Sequence, residues 1–535
     1  MNNIKILDCT LRDGGYINNW NFGEKVAKRI LRELSNAHID IVECGFLEET
    51  EYNPEKTIFN SLEKVSGILP DNPASRYVAM IALGEKELSY EKIEMCNGKS
   101  IWGIRLSFHK HEVERAFDYA ANLMKKGYQV FIQPVGTCTY SDKEFLELIE
   151  RVNLLKPYSF YIVDTLGTIK GTELMRLFQL ADNNLAEGIK IGFHSHNNLQ
   201  LAFANAQELI KAFTDREVIL DASVLGMGRG AGNLCTELIT QYMNETLKTD
   251  YNVTALLEIV DNYLMSIKES NPWGYTIPYY IAAVHKCHPD YAIYLMNRQT
   301  LNVRDIERII GRIPEDKHAL YDKNYIEKLY GEYQSHYIDD GETIQKLREK
   351  WKGRNICVLA PGTTIRTESK RIQEYIQEHK PCVIMVNFNS NLYVADMIFV
   401  SNLKRFEVND VLSNNWRDKD VIITSNIVTK RNDNFYTVNY TNYLNSDSMI
   451  SDNAGLMLLE LLKRCDVKKL ALAGFDGFVT NKKQNYFTKE LINSVESSVL
   501  ETKTEKIKKQ LRRLQEEMEI LFITTSQYEG SGDEV

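Results

Sequence analysis

The chain has 535 residues, a formal net charge of −9, and 44% apolar against 26% charged residues. This length exceeds one compact core and predicts two or three domains. The acidic balance argues against nucleic acid or an anionic membrane as partner, and no apolar run is long enough to span a bilayer. Nine cysteines, scattered without a CxxC pair, read as reduced thiols. With no signal-peptide-like apolar stretch at the N-terminus, they predict a cytoplasmic protein.

Residues 1–250 alternate short β-branched runs with longer helical patterns. The strand candidates are IKILD (4–8), IDIVECGF (39–46), RYVAMIAL (76–83), IWGIRLSF (101–108), YQVFIQPV (128–135), FYIVDT (160–165), KIGFHSH (190–196) and VILDASVLG (218–226). Between them lie amphipathic stretches such as 23–37, 111–127 and 198–213. Near-continuous apolar strands separated by such helices indicate a parallel sheet covered on both faces, and eight units predict a closed (β/α)8 barrel. Residues 251–345 are helical in period throughout, a helical extension. A second α/β pattern fills 346–535, with strands at 355–361, 382–388, 397–400, 421–425, 435–440, 469–477 and 521–525. It reads as a Rossmann-like, doubly wound domain with a helix at 455–465 and a long charged helix at 489–520. The apolar positions Leu511, Leu514, Met518 and Leu521 would suit a partner helix, so a homodimer is compatible with this segment. The acidic end GSGDEV reads as a frayed tail.

The chemistry concentrates at the expected carboxyl ends of the barrel strands. Residues two apart on a strand face one side, so His194 and His196 can hold one divalent metal between them. Asp13, after the first apolar run, offers a hard oxygen, and Asn233, closing the loop GMGRGAGN (226–233), offers a neutral one. Such donors suit Mn2+ first, with Mg2+, Co2+ or Zn2+ also accommodated. Arg12 can stabilise a developing enolate oxygen beside that metal, although an isolated Arg-Asp-Gly is more often a surface turn. Arg229 could meet a carboxylate or phosphate. Glu43, Gln133 and Asp164 are placed to line the mouth, or to serve there as hydrogen-bonding and capping residues.

DCTLRDGGY, GFHSHNNLQLAFANA and GMGRGAGN together resemble the pyruvate carboxyltransferase-like barrels, which include hydroxymethylglutaryl-CoA lyase, isopropylmalate synthase and 4-hydroxy-2-oxovalerate aldolase. The resemblance spans residues 1 to about 245 and is strongest to the aldolase branch. It implies that Asp13, His194, His196 and Asn233 are metal ligands, that Arg12 polarises the substrate carbonyl, and that Asp164 belongs to the substrate pocket. In the aldolases a histidine in the loop after the arginine–aspartate motif moves the proton; Tyr16 stands at that place here. Tyr16 could act only with a pKa well below ~10, which leaves a metal-bound water, Tyr275 or His288 as alternatives. The aldolases dock a dehydrogenase on their helical segment, and residues 272–295 do not carry that surface over.

In the second domain, LAPGTTI (359–365) could present backbone N–H groups and hydroxyls to a phosphate, and AGFDG (473–477) places Asp476 in a crevice. This region loosely resembles the Rossmann-like modules of bacterial sialyltransferase-like and surface-polysaccharide proteins. The leading expectation is a metal-dependent carbon–carbon lyase or aldolase acting through a pyruvate-type enolate of a 2-oxo acid, with a place in surface-polysaccharide precursor metabolism. The alternatives are a Claisen-type acyl-CoA synthase or lyase, and a nucleotide- or sugar-nucleotide-binding transferase in which the barrel is accessory.

Overall fold

A computed structural model describes residues 3–71, 73–318, 320–412, 419–429, 435–479, 485–487 and 497–529. Its contacts divide the chain into one unit of residues 1–292 with 313–321 and another of 293–312 with 322–535.

The first unit is a closed parallel barrel. Its strands are β1 (Ile4–Asp8), β2 (Ile41–Leu47), β3 (Arg76–Ala82), β4 (Gly103–Phe108), β5 (Gln129–Pro134), β6 (Ser159–Asp164), β7 (Lys190–Ser195) and β8 (Val218–Ala222). They lie in the order β1-β8-β7-β6-β5-β4-β3-β2, and β2 closes the ring on β1 through Leu7↔Ile41. A two-residue strand, Ile58–Phe59, adds to the edge of β2 near its carboxyl end. The eight expected strands all form, with their ends within a few residues of those expected.

Alternation sorts their side chains. Ile6, Val42, Ala79, Ile104, Val130, Phe160, Ile191 and Leu220 point outward into the core shared with the helices. Leu7, Ile41, Val78, Phe131, Tyr161 and Ile219 pack inside the barrel. The helices match this wall. Glu24–Asn36 buries Ala27, Ile30, Leu31 and Leu34 along one stripe. Asp142–Leu155 starts in a Ser141–Glu144 capping box and buries Phe145, Leu148, Ile149 and Val152.

One layer of the barrel interior is ionic. Arg105 of β4 is wholly buried; its guanidinium donates to Glu43 Oε2 of β2 at 2.8 Å and to Asp221 of β8, and stacks 5.0 Å from the Tyr161 ring centre. The Gln133 carboxamide of β5, oriented with its oxygen toward Arg105, accepts from the same guanidinium at 2.9 and 3.2 Å.

The second unit is built on a seven-stranded parallel sheet: β9 (Ile356–Leu359), β10 (Cys382–Val386), β11 (Met397–Val400), β12 (Asp420–Thr424), β13 (Tyr436–Val438), β14 (Lys469–Ala473) and β15 (Glu519–Phe522), in the order β13-β12-β11-β10-β9-β14-β15. Helices cover both faces; Ala454–Arg464, sought at 455–465, buries Leu456, Met457, Leu458, Leu459, Leu461 and Leu462. The long helix is described over Ser497–Gln515, and its expected start at 489–496 and the GSGDEV tail lie outside the described residues.

Two expectations change here. The helical segment 251–345 is helical as read, but it is not one body: 251–292 belongs with the barrel, 293–312 and 322–345 with the second unit. Leu511, Leu514 and Met518 are not a seam for a partner helix. They are 1–3% exposed and packed in their own unit's core with Leu456 and Leu459, while Leu521 sits on β15 and not on the helix. The apolar stripe is spent inside the domain, so it supplies no argument for a dimer.

Two stability predictions follow from the barrel. Replacing Arg105 by Met leaves Glu43 and Asp221 buried without their shared cation, and should cost about 3–5 kcal/mol in chemical denaturation of the full chain; a loss under 1 kcal/mol would show that the interior charges are not coupled through it. Burial raises the Asp8 carboxyl to about 6, against lowering hydrogen bonds from Thr236 and Thr10. A folded carboxyl above its ordinary value binds protons that the unfolded chain releases, so this group stabilises at low pH and loses that contribution as pH rises through about 6. Asp8→Asn should therefore flatten the fall in melting temperature between about pH 4 and pH 6 relative to the parent chain; parallel profiles would contradict this.

Candidate active site at the barrel mouth

The turn after β1 is wound so tightly that side chains would not fit at two positions. A Cβ on Gly14 would lie 2.2 Å from Thr10 O, and one on Gly15 would lie 2.0 Å from the Trp20 ring. Trp20 Nε1 donates to Arg12 O at 2.8 Å and fixes the turn's exit. This winding directs neighbouring side chains inward together. Arg12 Nε donates to Glu43 Oε2 at 2.8 Å, and Arg12 Nη1 lies 3.4 Å from Asp13 Oδ1.

Asp13 is the hub. His194 Nε2 lies 3.2 Å from Asp13 Oδ2, and Asn233 Nδ2 donates to the same oxygen at 2.8 Å. His194 Nδ1 donates to Asp221 Oδ2 at 2.9 Å, so the ring is held between two carboxylates. Burial opposes its charge, but the bonds to Asp13 and Asp221 raise its pKa above the ordinary value. Asp13 is lowered well below the usual carboxylate range: burial raises it, and Arg12, His196 and His194 outweigh that. His196 lies just beyond the end of β7, with its ring 5.1 Å from that of His194 and at 88° to it. Its Nδ1 donates to Arg229 O at 3.2 Å, and burial pushes it down to about 4. A backbone bridge joins His196 to Asn233.

The structure therefore brings Arg12, Asp13, His194, His196 and Asn233 together. Donor atoms of Cys9, Asp13 and His194 lie within 4.8 Å of one another and could hold a metal ion. Cys9 was not singled out from the sequence. Its Sγ is 3.2 Å from Ala222 O, and burial keeps it a protonated thiol. Asn233 Oδ1 is buried with no hydrogen-bond partner, an oxygen left over for a cation. A carboxylate, imidazole nitrogen and an unspent amide oxygen fit a divalent ion.

The other candidates have different surroundings. Asp164 is buried, and its carboxylate accepts the N–H groups of Thr168 at 2.8 Å and Ile169 at 3.1 Å, so it caps the loop after β6. Burial raises it to about 7. Tyr16 is half-buried, with its ring 4.9 Å from that of Trp20 and 5.6 Å from the Arg229 guanidinium. Burial raises its pKa, the opposite of what a tyrosine base needs. His288 Nε2 accepts from Arg229 Nη2 at 2.8 Å; burial and Arg229 push it down to about 4. Tyr275 is 55% exposed. His196, Arg229 and His288 line a small crevice with Thr165, Leu166 and Asn198. Asn198 was also missed from the sequence. It donates to Leu166 O at 2.9 Å and accepts from Ala231 N at 2.9 Å, tying the loop after β6 to the glycine loop.

The second unit alters one further expectation. The turn Pro361–Thr364 does not offer its donors to a phosphate: Thr363 Oγ1 and Thr364 N donate to Asp476 Oδ2 at 3.0 and 2.9 Å, and Gly362 N to Gly474 O at 3.1 Å. Asp476 fills that place itself.

Among curated relatives, the chain is 24% identical over 249 residues to an oxaloacetate decarboxylase of Mycobacterium tuberculosis, spanning 44% of this chain and 68% of that one. It is 23% identical over 274 residues to a 4-hydroxy-2-oxovalerate aldolase of Geobacillus thermodenitrificans, spanning 49% and 76%. Among solved structures, an HMG-CoA lyase of Brucella melitensis aligns with a TM-score of 0.41 at 16% identity, over 50% of this chain and 100% of that one. Residues 3–262 match the HMGL-like family model, and the barrel belongs to the HMGL-like family.

Proposed function

We propose that the barrel is a divalent-metal-dependent carbon–carbon lyase that works through the enolate of a 2-oxo acid. The observation that carries this reading is the cluster around Asp13, in which a carboxylate, His194 and the unspent Oδ1 of Asn233 converge beside the Arg12 guanidinium. Decarboxylation of oxaloacetate and retro-aldol cleavage of a 4-hydroxy-2-oxo acid both break a carbon–carbon bond and leave a 2-oxo-acid enolate. One site built to stabilise that enolate serves either reaction.

Asp13, His194, His196 and Asn233 would hold the ion, with Mn2+ the preferred occupant for a mixed imidazole and oxygen donor set. The ion supplies Lewis acidity that polarises the bound 2-oxo acid. The chain's residues do the remainder. Asp221 fixes the His194 ring through Nδ1, leaving Nε2 turned toward Asp13. Glu43 orients Arg12 through Nε, so the guanidinium stands as a preorganised cation where enolate charge develops. The Tyr16 hydroxyl keeps its proton at working pH and enters as a donor, and His288 stays a neutral acceptor. Nine unpaired thiols suit a reducing compartment, and we place the reaction in the cytoplasm. No helix among the described residues is long and apolar enough to cross a membrane.

Elemental analysis of the purified chain should find one divalent ion per chain that is lost on His194→Ala. Asp221→Asn should weaken it roughly 10–100-fold in a chelator competition. Arg12→Ala should keep the metal and lower kcat for oxaloacetate decarboxylation or 4-hydroxy-2-oxo-acid cleavage roughly 100–1000-fold. Full metal retention by His194→Ala would overturn the assignment.

A further inference from the structure

The sheet of the second unit grows in one direction from β9 through β13 and in the other through β14 and β15. Ligands of open parallel sheets bind beyond the carboxyl ends of the strands at such a switch point. Here the loops after β9 and β14 cross closely. Gly474 has φ +74, and a Cβ on it would lie 2.0 Å from Ala360 O. Beside this crossing lies a cleft of about 210 Å3, lined by residues of the second unit alone.

Among the described residues that line it, three cations face two carboxylates. The two lining carboxylates are both committed. Asp476 receives Thr363 and Thr364, and Asp452 is 2.7 Å from Arg298 and accepts from Tyr330. Arg298 further donates to Ser448 O at 2.6 Å and Ser451 Oγ at 2.8 Å, yet its Nε is buried without a partner. Two more cations line the same space. Arg405 is 8% exposed. Lys503 has no hydrogen bond or ion pair among the described residues, and burial lowers its pKa. Its nearest anion, Asp452, is already spent on Arg298 and Tyr330, so a half-buried ammonium here is better stabilised when a further anion joins it.

Two helices begin at the cleft and add their N-terminal field. Asn453 caps Ala454–Arg464, accepting from Leu456 N at 3.1 Å, and Asn402 accepts from Arg405 N at 2.9 Å at the start of Leu403–Leu412. Beside these polar groups the wall is aromatic, with the Arg405 guanidinium 5.9 Å from the Tyr486 ring centre. Phe478 and Tyr486 have ring centres 6.4 Å apart, and Tyr528 lines the same space.

We infer that this cleft is a second ligand site, independent of the barrel, that takes a nucleoside diphosphate: the phosphates against Lys503, Arg405 and the two helix starts, the base against Phe478, Tyr486 and Tyr528. The Pro361–Thr364 turn, closed by Asp476, forms the cleft's edge and does not cradle the phosphates.

Calorimetric titration of the full chain with ADP, GDP, UDP and CDP, each beside pyrophosphate and the free nucleoside, tests this. At least one diphosphate should bind roughly tenfold or more tightly than both pyrophosphate and its nucleoside. Lys503→Ala should weaken that binding about tenfold or more, Lys503→Arg should restore most of it, and His194→Ala should leave it unchanged. Near-UV circular dichroism confirms that the variants are folded. No binding by any of the four, equal binding of pyrophosphate, or undiminished binding by Lys503→Ala would each overturn the inference.

Discussion

The barrel depends on a run of buried charges that crosses its interior. Arg105 holds Glu43 and Asp221; Glu43 holds Arg12; Asp221 holds His194; and Arg12 and His194 meet on Asp13. Arg12 and Arg105 face the carboxylates of Glu43, Asp221 and Asp13, and His194 sits between two of those carboxylates. Every charge in the layer thus has an opposite partner or a donor, although each member is removed from water. An ion in that setting is costly unless every partner stays in place. The arrangement therefore ties fold to site: the groups that would act on substrate are fixed by the same contacts that make the interior tolerable.

This explains why one end of the barrel is apolar and the other reactive. Toward the amino ends of the strands the interior is filled by Leu7, Ile41, Val78, Phe131 and Ile219. Two residues along each strand, the same face carries Cys9, Glu43, Gln133 and Asp221. The second unit solves a related problem differently. Its sheet interior is apolar on both faces, and among the described residues the cations Arg298, Arg405 and Lys503 stand on helices around a single cleft.

Much of this was legible in the sequence because it rests on short-range pattern. The eight barrel strands follow from β-branched runs between amphipathic stretches. The gathering of Asp13, His194 and His196 follows from motifs at strand ends, and that of Asn233 from the glycine loop. What escaped were residues whose role depends on the partner across the barrel. Arg105 reads as one charge in an ordinary strand, and only closure of the ring shows that Glu43 and Asp221 face it. Cys9 reads as core filler and proves to lie beside Asp13. The errors have the same origin. Leu511 and Leu514 form a stripe that suits a partner helix until the sheet beneath claims it, and the Pro361–Thr364 turn suits a phosphate until Asp476, over a hundred residues on, occupies it. The division at 292/293 and 312/313 was invisible because helices on both sides share one periodicity.

If this charge layer positions Arg12 and the Asp13 cluster to stabilise an enolate, the metal-loaded chain should enolise pyruvate. Exchange of the pyruvate methyl protons for deuterium, followed by proton NMR with the Mn2+-loaded full chain, tests it without any knowledge of the second substrate. Exchange should run well above the solvent rate and fall roughly 100-fold or more in Arg12→Ala while the metal stays bound. A metal-loaded parent chain that leaves the methyl protons in place, or an Arg12→Ala variant that exchanges them as fast, would contradict it.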